Sequence, residues 1–152
     1  MNDLEQFDQR LEGLIAALSP KARKTMAVTI AKKLRASQQQ RIKRQQAPDG
    51  TPYAPRKPQP LRKKKGRVKQ EMFSKLRTNR YMKAKGDSNG AVVEFTNQVQ
   101  RMAQVHHYGL KDRLSLKGHL YIYDERILLG FKDRDLIIAV NVFEEFSSFT
   151  IR

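Results

Sequence analysis

Residues 80–109, RYMKAKGDSNGAVVEFTNQVQRMAQVHHYG, decide the fold class. Tyr81 to Lys85 alternate weakly, Gly86-Asp87-Ser88-Asn89-Gly90 is a turn, and Ala91-Val92-Val93-Glu94-Phe95 has the content of a strand. This half reads as a β-hairpin. The period then lengthens: Val99, Met102, Ala103 and His106 fall on one face of a helix over residues 97–108, and Gly109 ends it. A hairpin running directly into a helix points to an α+β fold.

Upstream the pattern is helical. Leu4, Phe7, Leu11, Leu14, Ile15 and Leu18 recur at three and four residues, so residues 3–18 form one amphipathic helix, capped by Asn2 or Asp3. Ser19-Pro20 restarts the chain with serine as N-cap and proline in the first helical position. The second helix is expected from Pro20 to about residue 46, with Ala22, Met26, Ile30 and Leu34 as its stripe. Beyond Leu34 the stripe thins, so ASQQQRIKRQQ at 36–46 is expected to bury little and to project or lie against another subunit.

Residues 47–68 hold five of the six prolines and exclude both helix interior and central strand, leaving a long loop with a tight turn at Asp49-Gly50. Residues 69–77 suit a short helix with Met72, Phe73 and Leu76 inward, and Leu120 to Tyr123 a strand. Residues 133–146, DRDLIIAVNVFEEF, are too densely apolar for the period to choose between helix and strand. The expectation is one domain over 1–152: a helical pair at 1–46, an extended basic loop at 47–68, and an α+β body at 69–152 with a small antiparallel sheet and packed helices.

The net charge is +16 on 152 residues. Residues 21–85 hold 22 of the 31 basic residues and two of the 15 acidic ones, a net of +20, and the remainder carries −4. Such asymmetry implies a polyanionic or acidic neighbour, or head-to-tail packing of opposite surfaces. Arg62, Lys63, Lys64, Lys65 and Arg67, with Arg56, Lys57 and the helix-tail residues Arg41, Lys43 and Arg44, are the candidate contacts to DNA or an acidic partner. No helix-turn-helix, zinc-ligand or RNA-reading aromatic pattern accompanies them, so base-specific readout is not expected.

Chemistry finds little support. The absence of cysteine removes disulfides, thiolate zinc sites and thiol catalysis. His106 and His107, adjacent on a helix, point about 100° apart and cannot share a metal well, and His119 has no helpful spacing. Glu144-Glu145 and Asp133-Arg134-Asp135 read as surface charges or caps, and there is neither a nucleophile elbow nor a phosphate-binding glycine loop. The reading is non-enzymatic, with no cofactor and no metal. The polar N-terminus and the lack of a long apolar run give a soluble protein made in the cytoplasm, with no membrane partner.

The order of motifs carries a resemblance. SQQQRIKRQQAPDGTPYAPRKP at 37–58 precedes MFSKLRTNRYMKAK at 72–85, VVEFTNQVQRMAQVHHYGLKDR at 92–113 and DERILLGF at 124–131. This order resembles the phage virion morphogenesis family, the tail completion proteins of temperate contractile-tailed phages and their Mu-type relatives, over nearly the whole chain. The most specific pieces are Asp49-Gly50-Thr51-Pro52-Tyr53-Ala54-Pro55, Val105-His106-His107-Tyr108-Gly109 and Arg126-Ile127-Leu128-Leu129-Gly130. The chain departs from the family pattern at Asp124-Glu125, where a proline often precedes the arginine. The resemblance implies a virion structural part at the head-proximal neck of the tail that makes it competent for head joining, as a sixfold ring. Its partners would be copies of itself, tail tube and sheath proteins, the head–tail connector and the end of the genome DNA. Asp49, Gly50, Pro52, Tyr53 and Pro55, with His106, His107, Tyr108 and Gly109, are the candidate intersubunit docking residues. The competing readings are a non-specific nucleic-acid-binding protein and another neck component such as a tail terminator.

Overall fold

The hairpin and the helix read from residues 80–109 are both present in the computed structural model, which describes residues 3–56, 71–113, 120–130 and 132–150. In chain order the elements are α1 Asp3–Ala17, α2 Pro20–Lys43, β1 Met82–Gly86, β2 Ala91–Phe95, α3 Asn97–Tyr108, β3 Lys111–Arg113, β4 Leu120–Ile122 and α4 Asp133–Thr150. Two two-stranded sheets, β1-β2 and β3-β4, accompany the helices, so the fold is α+β as expected. The segment left open between helix and strand is helical. The short helix expected at 69–77 is replaced, among its described residues, by turns.

The chain forms two compact units: residues 1–35, 84–93 and 133–152, and residues 36–83 and 94–132. In the first, Ser19 caps α2 through its Oγ, which accepts the Ala22 N–H at 3.1 Å. Leu18, Met26, Val142 and Phe143 form the core, with Ile15, Ala22 and Ile30 packed against it. That core explains why α4 is a helix: Val142 and Phe143 reach the α1–α2 pair, while Leu136 and Ile137 stay exposed. The β1–β2 hairpin approaches α2 so closely that a Cβ on Gly86 would lie 2.5 Å from the Val28 nitrogen, which only glycine allows.

The second unit corrects one expectation. The polar end of α2 is not a projecting arm: Gln38, Arg41 and Ile42 are buried. Ile42, Met82 and Leu128 are fully enclosed, and Leu76, Val99, Ala103 and Val105 are buried with them among the described residues of this unit. An apolar stripe is one way to bury a helix face; here polar side chains spend their hydrogen bonds on another segment's backbone.

α3 ends as read. Gly109 takes φ 65° and ψ 47°, a left-handed cap, and Leu110 N–H donates to the Val105 carbonyl at 2.9 Å. The chain then turns into β3, which pairs antiparallel with β4 in the register Lys111↔Ile122, Asp112↔Tyr121 and Arg113↔Leu120.

Candidate functional site

Within the second unit, α2 gives way to a small elbow. Gly50 adopts φ 86°, its N–H reaches the Ala47 carbonyl at 2.9 Å, and Ala47 N–H reaches the Thr51 carbonyl at 2.8 Å. The Asp49 carboxylate accepts the Thr51 N–H at 2.9 Å, and the Thr51 amide and hydroxyl hold its pKa below the usual value. Gln46 bridges Pro52, and Tyr53 N–H donates to the Gln45 carbonyl at 2.8 Å. The elbow projects Asp49, Gly50, Thr51 and Pro52 as an exposed tip.

Opposite it runs the irregular segment Arg126 to Gly130. A buried segment without helix or ladder must find partners for each backbone group. Arg126 N–H donates to the His106 carbonyl at 2.8 Å. The Ile127 carbonyl accepts the Tyr53 hydroxyl at 2.8 Å. Leu128 N–H donates to His107 Nδ1 at 3.2 Å, and the Leu128 carbonyl accepts Arg41. Gln38 takes both groups of Gly130, donating to its carbonyl at 3.0 Å and accepting its N–H at 3.3 Å. The Arg126 side chain, 5% exposed, donates from Nε to the Ala54 carbonyl at 3.0 Å and from its terminal nitrogen to the Pro55 carbonyl at 3.1 Å. A Cβ on Gly130 would sit 2.4 Å from the Pro48 ring, so glycine is required where this segment meets the elbow.

A row of rings closes the site. Tyr53 meets Phe73 at 5.7 Å, Phe73 meets His106 at 5.0 Å, His106 meets Tyr123 at 4.9 Å and Tyr123 meets Tyr121 at 4.9 Å, all edge to face. Burial pushes the Tyr53 phenol up, against the guanidinium groups of Arg41 and Arg126. Burial holds His106 below its usual pKa, reinforced by Arg126. Burial likewise lowers His107, with Glu125 opposing and Arg41 adding. Burial thus disfavours the charged form of both imidazoles: His106 packs between rings, and His107 lends Nδ1 as an acceptor.

The three most specific sequence blocks are therefore one interlocked structure. Asp49, Gly50, Pro52, Tyr53 and Pro55 come together with His106, His107, Tyr108 and Gly109 through Arg126 to Gly130. Tyr53, His106 and His107 are inside the clamp, whereas Pro52, Pro55 and Tyr108 are exposed. The candidate cations separate: Arg41 is buried in the clamp, while Lys43, Arg44 and Arg56 face solvent. Lys57, Arg62, Lys63, Lys64, Lys65 and Arg67 lie outside the described residues.

Sequence reasoning gave no inward role to Gln38 and Gln45, read Phe73 as inward without a partner, and named Arg126 within a family block without a contact. The available signal for the first two was a run of glutamines on a helix that then needs polar partners. The apolar pattern put Phe73 inward, but nothing in the sequence signals its φ of 66°. Among the described residues no group of three His, Cys, Asp or Glu is placed to hold a metal, and no helix is long and apolar enough to cross a membrane. The arrangement ties an exposed turn to a helical base through hydrogen bonds and ring contacts.

Comparison with known proteins agrees with the sequence resemblance. The model of the phage virion morphogenesis family matches residues 2–145. Tail completion protein S of Escherichia phage P2 is 44% identical over 137 residues, covering 90% of this chain and 91% of that protein. No solved structure matches.

Proposed function

Because the chain belongs to the phage virion morphogenesis family, we propose that it is a structural, non-enzymatic tail completion protein that makes the phage tail competent to join a filled head. The observation that carries this reading is the 44% identity to a tail completion protein along nearly the full length of both chains. It resides in the virion tail and acts through other tail and head components.

At finer grain, it sits at the head-proximal end of the tail as a ring matching the sixfold tube, between the last tube ring and the head connector. The clamp supports this by presenting the Asp49–Pro52 tip and Tyr108 from a base tied together by hydrogen bonds and ring contacts. A docking element held this way loses little entropy when a neighbour engages it. The exposed side chains of Lys43 and Arg44, where α2 gives way to the elbow, and Arg56 beyond it supply positive charge for the DNA end in the neck or for an acidic neighbour.

The test is to image tails from a phage lacking this gene beside wild type and to locate the protein by cryo-electron microscopy. Mutant tails with abnormal head-proximal ends that fail to join heads, and a ring of the protein at that end of wild-type tails, are expected. Mutant tails that join heads normally, or protein found only at the baseplate, refute the reading. Salt-dependent DNA binding by the isolated chain, with normal tails in its absence, would establish the nucleic-acid-binding alternative.

A further inference from the structure

The outer face of the β3–β4 hairpin is unusual for a short exposed sheet. Alternate residues share a face. Tyr121 and Tyr123 lie on the inner one, where Tyr123 meets the His106 ring of α3. Asp112, opposite Tyr121 in the register, is held by Arg101 of α3 at 3.2 Å. The outer face presents Leu120 and Ile122, 65% and 63% exposed, with the exposed Lys111 directly opposite Ile122. A hairpin with one solvated face places polar residues outward; this one places aliphatics there beside a cation. The complement to that cation is a surface that presents carboxylates.

The chain carries such an element. Glu5, Asp8 and Glu12 on α1 are spaced three and four residues apart, form one stripe and are all exposed, with Asp3 in the first turn. Among the described side chains, the carboxylates elsewhere are engaged. Thr51 holds Asp49, the Asn89 and Gly90 N–H groups hold Asp87, and Arg77, Arg101 and Arg126 hold Glu71, Asp112 and Asp124. Glu94, Asp135 and Glu145 also have interactions, and Glu125 acts on His107. The four carboxylates of α1 have no partner among the described residues.

We propose that the outer face of β3–β4 in one copy of the chain docks helix α1 of a neighbouring copy. Leu120 and Ile122 pack beside the acidic stripe, and Lys111 pairs with Glu5, Asp8 and Glu12. The contact joins two different surfaces, so each copy offers one of each and the pairing propagates head to tail, which closes into a ring when the rotation permits. Lys111 disfavours the alternative in which two sheet faces meet each other, because like charges would then lie together. The inference rests on the multi-copy reading proposed above.

The natural absence of cysteine makes the test direct. A phage lacking the gene is complemented with two differently tagged full-length variants, Lys111→Cys and Asp8→Cys, and purified tails are oxidised. A disulfide joining the two tags, with none when either variant is supplied alone, is the expected result. Lys111→Cys chains linked to each other, or no link in tails that hold several copies, overturn the proposal. Tails that hold no copy, or only one, overturn the ring reading itself, a distinct outcome read from the tag count. As a second measurement, Lys111→Glu lowers the yield of joined particles about tenfold and Asp8→Lys in the same chain restores it. Failure of that rescue, with both variants folded by circular dichroism, also overturns the docking surface.

Discussion

Replacing Arg126 by alanine removes the group that ties the elbow to the irregular segment. Its guanidinium makes two hydrogen bonds, at 3.0 and 3.1 Å, to the carbonyls of Ala54 and Pro55. A hydrogen bond involving a charged group contributes about 1.5–3 kcal/mol net. Pro55 is exposed, so its carbonyl can take water in the variant, whereas Ala54 is half-buried and its carbonyl is left poorer. The contact to Asp124, 3.8 Å away with that carboxylate 52% exposed, adds little. The expected loss is therefore about 3 kcal/mol, or about 6–12 °C in Tm. All five tyrosines lie in the second unit and the chain has no tryptophan, so circular dichroism in the tyrosine band, clear of the phenylalanine fine structure, reports on that unit during urea unfolding. Arg126→Lys retains the charge but not the fork, so it should fall between the two, about 1–2 kcal/mol below wild type. An alanine variant within about 1 kcal/mol of wild type, or a lysine variant as damaged as alanine, would refute the account of the clamp.

The remaining clamp residues give three further expectations. Gln45→Ala loses the two bonds its amide makes with the backbone of Met72, both 2.8 Å, and should cost about 2 kcal/mol in the same urea titration; no change would remove Gln45 from the structure's support. Gly86→Ala forces a Cβ to within 2.5 Å of the α2 backbone and should lower far-ultraviolet thermal stability by about 1–3 kcal/mol, while Gly90→Ala, with open space around it, should be much milder; equal effects would refute the close approach. His106 and His107 are held below their usual pKa mainly by burial, so the fold favours neutral imidazole. Their contribution is then complete above about pH 6.5 and is lost as pH falls through the folded-state values. Protonation also ends the Leu128 N–H bond to His107 Nδ1. Urea unfolding at about pH 5.5 should show a weaker second unit than at about pH 7.5, and His106→Gln with His107→Gln should flatten that difference; an equally steep profile in the double variant contradicts it.

How much was legible follows from which forces the sequence displays. The β1–β2 hairpin and α3 were readable because a period change, a turn and a terminal glycine agree locally. α4 was undecided because an almost continuous apolar run satisfies both periods, and only packing of Val142 and Phe143 on α1 and α2 resolves it. The buried end of α2 was misread for a different reason. Gln38 and Arg41 look like surface residues in any one-dimensional pattern, and their burial depends on carbonyls and amides 87 and 92 residues further along. The resemblance had nevertheless selected the three segments that these side chains join.

Gln45 accounts for a last feature of the second unit. Its carbonyl accepts from Tyr53, its amide holds Met72 on both sides, and the rings of Tyr53 and Phe73 meet. The stretch between Tyr53 and Met72, which contains Arg56, Lys57, Arg62, Lys63, Lys64, Lys65, Arg67 and Lys69 against the single acid Glu71, therefore begins and ends at one residue. Like charges at this density oppose confinement, and closing a longer loop costs only about 0.6 kcal/mol per doubling of its length. The staple thus acts at the two ends, where hydrogen bonds and an aromatic contact are available. Gln45 at φ 57° and Phe73 at φ 66° are non-glycine residues in a left-handed conformation that costs about 1–3 kcal/mol each. They sit where that conformation brings both ends of the basic stretch to the same base.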